Sequence, residues 1–190
     1  MRLGVFGGSF DPIHHAHLII AQLAREQLAL DRVHFVVANA QPFKQGQHAA
    51  PAAARVRMVE LAVASVPGFV VDPRELERPG PSYTVDTLES MVAEFRGAEL
   101  VLLLGADAAR GFEGWRNPDR IRALARIAVY PRGADEVPEG FEVALTGPRL
   151  ELSATAIRAR MAAQRSLVGW VPERVGDYIS GLQLYRSDTG

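Results

Sequence analysis

The sequence predicts an α/β fold: a Rossmann-like, doubly wound parallel sheet with a small C-terminal helical part. Three observations carry this expectation. Strand-like and helix-like segments alternate, the pattern of a parallel sheet covered by helices. Leu100–Leu104 (LVLLL) is an unbroken apolar run, as expected of a strand covered on both faces. The first strand runs straight into Gly7-Gly8-Ser9 and a helix start, at the carboxyl end where such sheets take ligands.

The elements follow in order. Arg2–Phe6 reads as a short buried strand and Ala16–Leu28 as a helix with Ile19 and Leu23 on its apolar face. Val33–Ala38 is a second strand. Ala52–Val66 is a helix with Met58, Val59, Ala62, Val63 and Val66 along one stripe. Phe69–Val71 is a short strand, and Thr84–Phe95 a helix through Val85, Leu88, Val92 and Phe95. After the LVLLL strand, Asn117–Ala125 reads as a helix, Ile127–Tyr130 as a strand and Glu142–Leu145 as a weaker strand. Ala154–Ala163 and Pro172–Leu182 are helices, the second with proline at its first turn. Residues 133–148, rich in Pro, Gly and acids, read as a loop. No clear linker divides the chain, so residues 1–190 are expected to form one domain, with the helical part at about 153–190.

Composition excludes several classes. With no cysteine, disulfides, Cys-ligated zinc, iron–sulfur clusters and cysteine nucleophiles are ruled out. That suits a reducing compartment, and the cytoplasm is the expected location. The first residues lack the pattern of a signal peptide, and no apolar stretch approaches a membrane span. The net charge of −1 gives no global basic field for nucleic acid. Lys and Arg together number 21, yet only Lys44 is a lysine.

The segment Gly7-Gly8-Ser9-Phe10-Asp11-Pro12-Ile13-His14-His15-Ala16-His17 carries the chemistry. Two glycines permit close backbone approach and positive φ. Ser9 adds a hydroxyl, and the helix start adds N–H groups and a positive dipole end, which together favour phosphate. His14 and His17 are spaced i, i+3 and share a face of the first turn. Two imidazoles there can donate to an anionic phosphorus centre. A glycine pair after a strand also serves as a plain turn, so this segment alone leaves phosphate chemistry open.

A second element is Leu152-Ser153-Ala154-Thr155-Ala156-Ile157-Arg158. Ser153 reads as an N-cap, with Thr155 and Arg158 on the first turns of the helix. An arginine there can reach phosphate oxygens bidentately. Read alone, the segment is better taken as a capped helix with solvent-facing Arg158, Arg160 and Arg165. The chain has no G-x-x-x-x-G-K-[ST] loop and no G-x-G-x-x-G fingerprint. No acidic residue follows the second strand at Asn39, which argues against a dehydrogenase.

With both elements, the chain resembles the nucleotidylyltransferase superfamily, whose marks are an HxGH-type first motif and an ISSTxxR-type second motif. Within it the likeness is to the bacterial nicotinate mononucleotide adenylyltransferases, and it runs nearly end to end. It includes GGSFDPIHHAH, Asn39–Lys44, Arg55-Val-Arg-Met58, Gly80-Pro-Ser-Tyr-Thr-Val-Asp-Thr-Leu88, Leu104-Gly-Ala-Asp107, LSATAIR, and the stretch from Val171 to Tyr185. Departures are few. Ser9 keeps the hydroxyl of a frequent Thr, Ala16 replaces the usual Gly of HxGH, and Phe43 replaces a frequent His.

The resemblance implies transfer of AMP from ATP to nicotinate mononucleotide, giving nicotinate adenine dinucleotide and pyrophosphate in NAD biosynthesis. It implies that His14, His17 and Arg158 are catalytic. Gly7, Gly8, Ser9, Phe10, Asp107, Ser153 and Thr155 would hold ATP and its phosphates. Lys44, Ser82, Tyr83, Thr84 and Trp115 would bind the acceptor. Mg²⁺ would enter on the substrate phosphates, with no dedicated protein cage. No nucleic acid or membrane partner is implied, and a homo-oligomer stays open. The nearest rival is a sister enzyme acting on pantetheine phosphate or transferring CMP. A rival of another class is a non-catalytic nucleotide-binding regulator.

Overall fold

A computed structural model describes residues 1–39, 48–131, 137–141 and 143–186. The strands are β1 (Arg2–Gly8), β2 (Arg32–Val37), β3 (Phe69–Asp72), β4 (Glu99–Gly105), β5 (Arg126–Tyr130) and β6 (Val143–Ala144). They form one six-stranded sheet in the order β3-β2-β1-β4-β5-β6, with every neighbouring pair parallel. The helices are α1 (His15–Gln27), α2 (Ala52–Val63), α3 (Thr84–Glu94), α4 (Ala106–Arg110), α5 (Pro118–Leu124), α6 (Ala154–Ala162) and α7 (Glu173–Gly181).

The period-2 alternation of each strand divides the core between the two faces. Val33, Phe35 and Val37 of β2, Val101 and Leu103 of β4, and Ala128 and Tyr130 of β5 point to one cluster. There they meet Ala21 and Ala24 of α1, Met58 and Val59 of α2, Ile157 of α6, and Val175 and Ile179 of α7. Leu3, Val5, Leu100, Leu102, Leu104, Ile127 and Val129 point the other way, against α3, α4 and α5. The sheet is therefore wound on both sides, as the sequence predicts. The reversal of strand order falls between β1 and β4, and the crevice there is the expected ligand site.

The structure departs from the sequence reading in a few places, each with a physical cause. β1 runs on through Gly7 and Gly8, because these residues pair with Val36 and Val37. α2 stops at Val63, ahead of Pro67, whose ring disfavours helical backbone in the residue before it. The short helix α4 and the 3-10 turn Phe112–Gly114 follow β4 directly. They are too short to show an apolar period. The weak strand expected at Glu142–Leu145 is Val143–Ala144, paired with β5, and Glu142 lies outside the described residues. No helix among the described residues is long and apolar enough to cross a membrane.

Away from the crevice, a buried polar network ties β2, β3 and α3 together. His34 Nδ1 donates to Asp72 Oδ2 at 3.1 Å. Arg74 grips the same carboxylate with Nε to Oδ1 at 2.8 Å and Nη2 to Oδ2 at 2.7 Å, and its Nη2 also reaches Glu94 at 2.9 Å. Burial alone would push the Asp72 carboxyl up. Hydrogen bonds from His34 and Arg74 and the charge of Arg74 outweigh it and hold the group at about 2. A carboxylate depressed in the folded state stabilises above its ordinary value, and that contribution is lost as pH falls toward about 2. Asp72→Asn should therefore cost about 3 kcal/mol at pH 7 in urea unfolding, because it breaks a buried pair. The gap from the parent protein should narrow as pH drops from 4 to 2. A gap constant over that range would show that the carboxylate charge is not its source.

Candidate active site

The crevice is built from the end of β1 outward. Gly7 and Gly8 line a pocket with Ser82, Thr84 and Trp115, the residues the sequence singles out for an acceptor. Its floor is apolar, from Val5, Val36, Leu102 and Leu104, and Glu75 and Thr87 complete the wall. Ser82 is fixed by the Asn39 N–H, which donates to its hydroxyl at 2.9 Å. Tyr83 caps α3 without a side-chain hydrogen bond, and the Arg116 guanidinium lies 4.7 Å from the centre of its ring. Trp115 is half-buried, against Phe112 at 5.4 Å between ring centres. Thr87 donates its hydroxyl hydrogen to Glu75 Oε1 at 2.6 Å and accepts from Arg78 Nη2 at 2.7 Å.

The glycines act differently from the sequence expectation of positive φ. Both are extended strand residues, and the left-handed residue is Phe10, at φ 47°. Gly8 is needed for space: a Cβ there would come within 2.9 Å of the Phe10 ring. Gly7 has nothing within 4 Å of a Cβ position, so its open side faces the pocket it lines. Phe10 itself is 2% exposed, between Phe6, Phe35 and His17. Its side chain is therefore part of the core and does not line the pocket.

Beyond Phe10 the chain turns to the opposite face of the sheet and starts α1. His14 is the N-cap and His17 the third helical residue, so the spacing read from sequence places their rings together, 3.8 Å apart and 25° from parallel. The His14 N–H donates to His17 Nδ1 at 3.2 Å. With Nδ1 accepting, a neutral His17 carries its proton on Nε2 and is a donor at that atom. The backbone N–H of His15 donates to the Trp170 carbonyl at 3.2 Å.

α6 is carried to the same loop. Ser153 caps it, its hydroxyl accepting from the Ala156 N–H at 3.2 Å. Arg158 reaches across to the Asp11 carbonyl with Nη1 at 2.7 Å, and its Nη2 donates to the Thr155 hydroxyl at 3.3 Å. The structure thus brings Arg158 to the glycine-rich loop across 147 residues of sequence. Asp107 lies on the first turn of α4, just past β4, exposed and ion-paired with Arg110. Lys44 lies outside the described residues.

Sequence gives no role to the residues that hold the loop in place. Asp11 is 5% exposed, and its carboxylate accepts the Ala49 N–H at 2.7 Å, the Ala50 N–H at 3.1 Å and the Tyr185 hydroxyl at 2.6 Å. Arg55, 1% exposed, donates through Nη1 to the carbonyls of Ser9 and Ala38, both at 2.8 Å. A signal for Arg55 was present, because it stands three and four residues before Met58 and Val59 on the apolar stripe of α2. Glu75 had no comparable signal.

Fold and loop together define an α/β protein of the doubly wound kind that binds nucleotides at its switch point, and comparison with known proteins narrows the class. Residues 5–160 match the cytidylyltransferase-like family. A Thermus thermophilus protein described as "Probable nicotinate-nucleotide adenylyltransferase" is 46% identical over 189 residues, covering 98% of this chain and 100% of that protein. One of the same description from Thermomicrobium roseum is 39% identical, covering 98% and 92%. Among solved structures, Plasmodium falciparum nicotinic acid mononucleotide adenylyltransferase complexed with NaAD shares the fold, with a TM-score of 0.77 at 17% identity over 97% of each chain. The chain therefore belongs to the cytidylyltransferase-like family and, within it, to the nicotinate-nucleotide adenylyltransferases.

The geometry at Gly7 yields a direct test. Its backbone is ordinary strand, so Gly7→Ala should leave thermal stability unchanged or raise it by about 0.4–1 kcal/mol. The added methyl enters the pocket, so kcat/KM for the bound nucleotide should fall at least about tenfold. Unchanged kcat/KM in the folded variant would show that no substrate approaches the backbone there.

Proposed function

We infer that this chain transfers AMP from ATP to nicotinate mononucleotide, giving nicotinate adenine dinucleotide and pyrophosphate, a step of NAD biosynthesis. One observation carries this reading. The pocket at the switch point and the paired imidazoles lie on opposite sides of the same Gly7–Phe10 backbone, so two substrates can meet at its end. The relatives' shared description supports it.

In this reading the ring of the acceptor enters beside Trp115, over the apolar floor. Glu75 supplies a negative wall for a cationic pyridinium. α3 begins at Thr84, and among the described residues no hydrogen bond is made by the Thr84 and Val85 N–H groups. These donors and the positive end of the helix dipole suit the ring carboxylate. Lys44 serves the acceptor phosphate.

The acceptor phosphate is a competent nucleophile at neutral pH, so no general base is required. Its oxygen attacks the α-phosphorus, the bond to the bridging oxygen breaks, and pyrophosphate departs with that electron pair. Catalysis is then positioning plus stabilisation of charge on the α-phosphate. His17 Nε2–H and His14 donate to α-phosphate oxygens, and the backbone from Gly8 to Phe10 with the Ser9 hydroxyl cradles them. Arg158, with Ser153 and Thr155 beside it, faces the leaving pyrophosphate, and Asp107 takes the ribose. A divalent ion, Mg²⁺, would enter with the ATP phosphates beside Arg158, Ser153 and Thr155 and would neutralise part of their charge. Among the described residues no group of three or more His, Cys, Asp or Glu is placed to hold a metal ion.

The test is pyrophosphate release from ATP with nicotinate mononucleotide, nicotinamide mononucleotide, other mononucleotides and pantetheine phosphate. The acid should be preferred over the amide by roughly 5- to 150-fold in kcat/KM. The amide would turn an NH₂ toward donors and leave a polar group unpaired, at about 1–3 kcal/mol. His17→Ala should reduce kcat by on the order of 10²-fold with any acceptor. Release with pantetheine phosphate alone would overturn the assignment of substrate, and equal use of acid and amide would overturn the placement of the ring carboxylate.

A further inference from the structure

Three segments remote in sequence close on the phosphate loop. The Trp170 carbonyl receives the His15 N–H, Arg158 holds the Asp11 carbonyl, and the Tyr185 hydroxyl donates to Asp11 Oδ1. The third is the least expected. Tyr185 follows α7, 174 residues from Asp11, and has φ 63°, a left-handed backbone that costs a bulky residue energy. Gln183 beside it has φ 53°. The segment is held by the Leu184 N–H to the Ile179 carbonyl at 3.0 Å and by packing of Leu184 and Tyr185 on the core shared by α2 and α7.

The loop that receives this hydroxyl is itself strained, with Phe10 at φ 47° immediately before Asp11. A buried carboxylate must have its oxygens occupied, and here two backbone N–H groups and one phenol do so. We propose that Tyr185 is a positioning residue for phosphoryl transfer, its hydroxyl locking Asp11 and thereby the Ser9–His14 backbone in the geometry that receives the α-phosphate. Burial and the Asp11 carboxylate both push the Tyr185 hydroxyl above its ordinary value, so it stays a neutral donor across the working range. Its effect falls on the α-phosphate side alone. The proposed acceptor pocket is walled by α3, Trp115 and the opposite face of the sheet, whereas the hydrogen-bond partners of Asp11 among the described residues are Ala49, Ala50, Arg158 and Tyr185.

The proposal rests on the adenylyltransferase reading, and Tyr185→Phe separates the two. The ring and its packing remain, and only the hydrogen bond is removed. A hydrogen bond to a charged group corresponds to about tenfold or more in rate if it is fully felt in the transition state. The expected result is a fall in kcat of about tenfold, with KM for nicotinate mononucleotide within about twofold of the parent and nearly the same unfolding temperature. Tyr178→Phe on α7, whose hydroxyl has no hydrogen bond among the described residues, should leave all three unchanged. Unchanged kcat in Tyr185→Phe overturns the proposal. So does a parallel loss of kcat, acceptor affinity and thermal stability, which marks a merely structural contact. If the parent protein shows no transfer at all, the functional reading fails, and the tether is judged by nucleotide binding alone. The rise in unfolding temperature that ATP induces must then shrink in Tyr185→Phe, and an equal rise overturns it.

Discussion

The buried carboxylate of Asp11 is the interaction on which the rest of the site depends. A charge at 5% exposure is tolerated only when its lone pairs are filled. The donors that fill them come from Ala49 and Ala50, just before α2, and from the segment after α7, while Arg158 of α6 takes the carbonyl of the same residue. One desolvated group thus fixes where four parts of the chain meet. Arg55 extends the constraint. Nearly wholly buried, it spans the Ser9 and Ala38 carbonyls and joins the loop to the end of β2. Burial pulls its guanidinium below the ordinary value, and the nearby Asp11 carboxylate and Tyr185 oppose that.

The doubly wound sheet turns this local constraint into a division of labour. Side chains of β1, β2 and β4 that point to the α3 face make the floor of the crevice pocket, and those on the other face pack beneath the imidazole pair. Gly7 and Gly8 are the boundary. A side chain at Gly7 would occupy the pocket side, and one at Gly8 would collide with Phe10. The backbone at this boundary is therefore bare, and in the proposed reaction charge developing at phosphorus would be met by N–H groups and imidazoles held in place before any ligand arrives.

Much of this was legible in the sequence, and the reason differs from element to element. The sheet was readable because β4 is uniformly apolar and the helices carry a regular stripe. The His14/His17 pairing was readable because i, i+3 spacing on a first turn admits one arrangement. What could not be read were contacts set by the tertiary fold alone. From its own segment Arg158 reads as a solvent-facing residue, because nothing local says that α6 will be laid against Asp11. The positive φ was expected at glycine and is found at Phe10, where core packing overrides local preference. Glu75 stood in an unremarkable acidic stretch and became part of the pocket wall only through the crossover that brings α3 over β1.

If Asp11 is the common anchor, weakening it should loosen the converging segments together and nothing else. Amide hydrogen exchange of Asp11→Asn against the parent protein tests this most directly. The account predicts faster exchange at residues 9–15, 48–50 and 183–186 in concert, with β1 to β5 as protected as before. Faster exchange confined to one of these segments, or spread through the whole sheet, would contradict it.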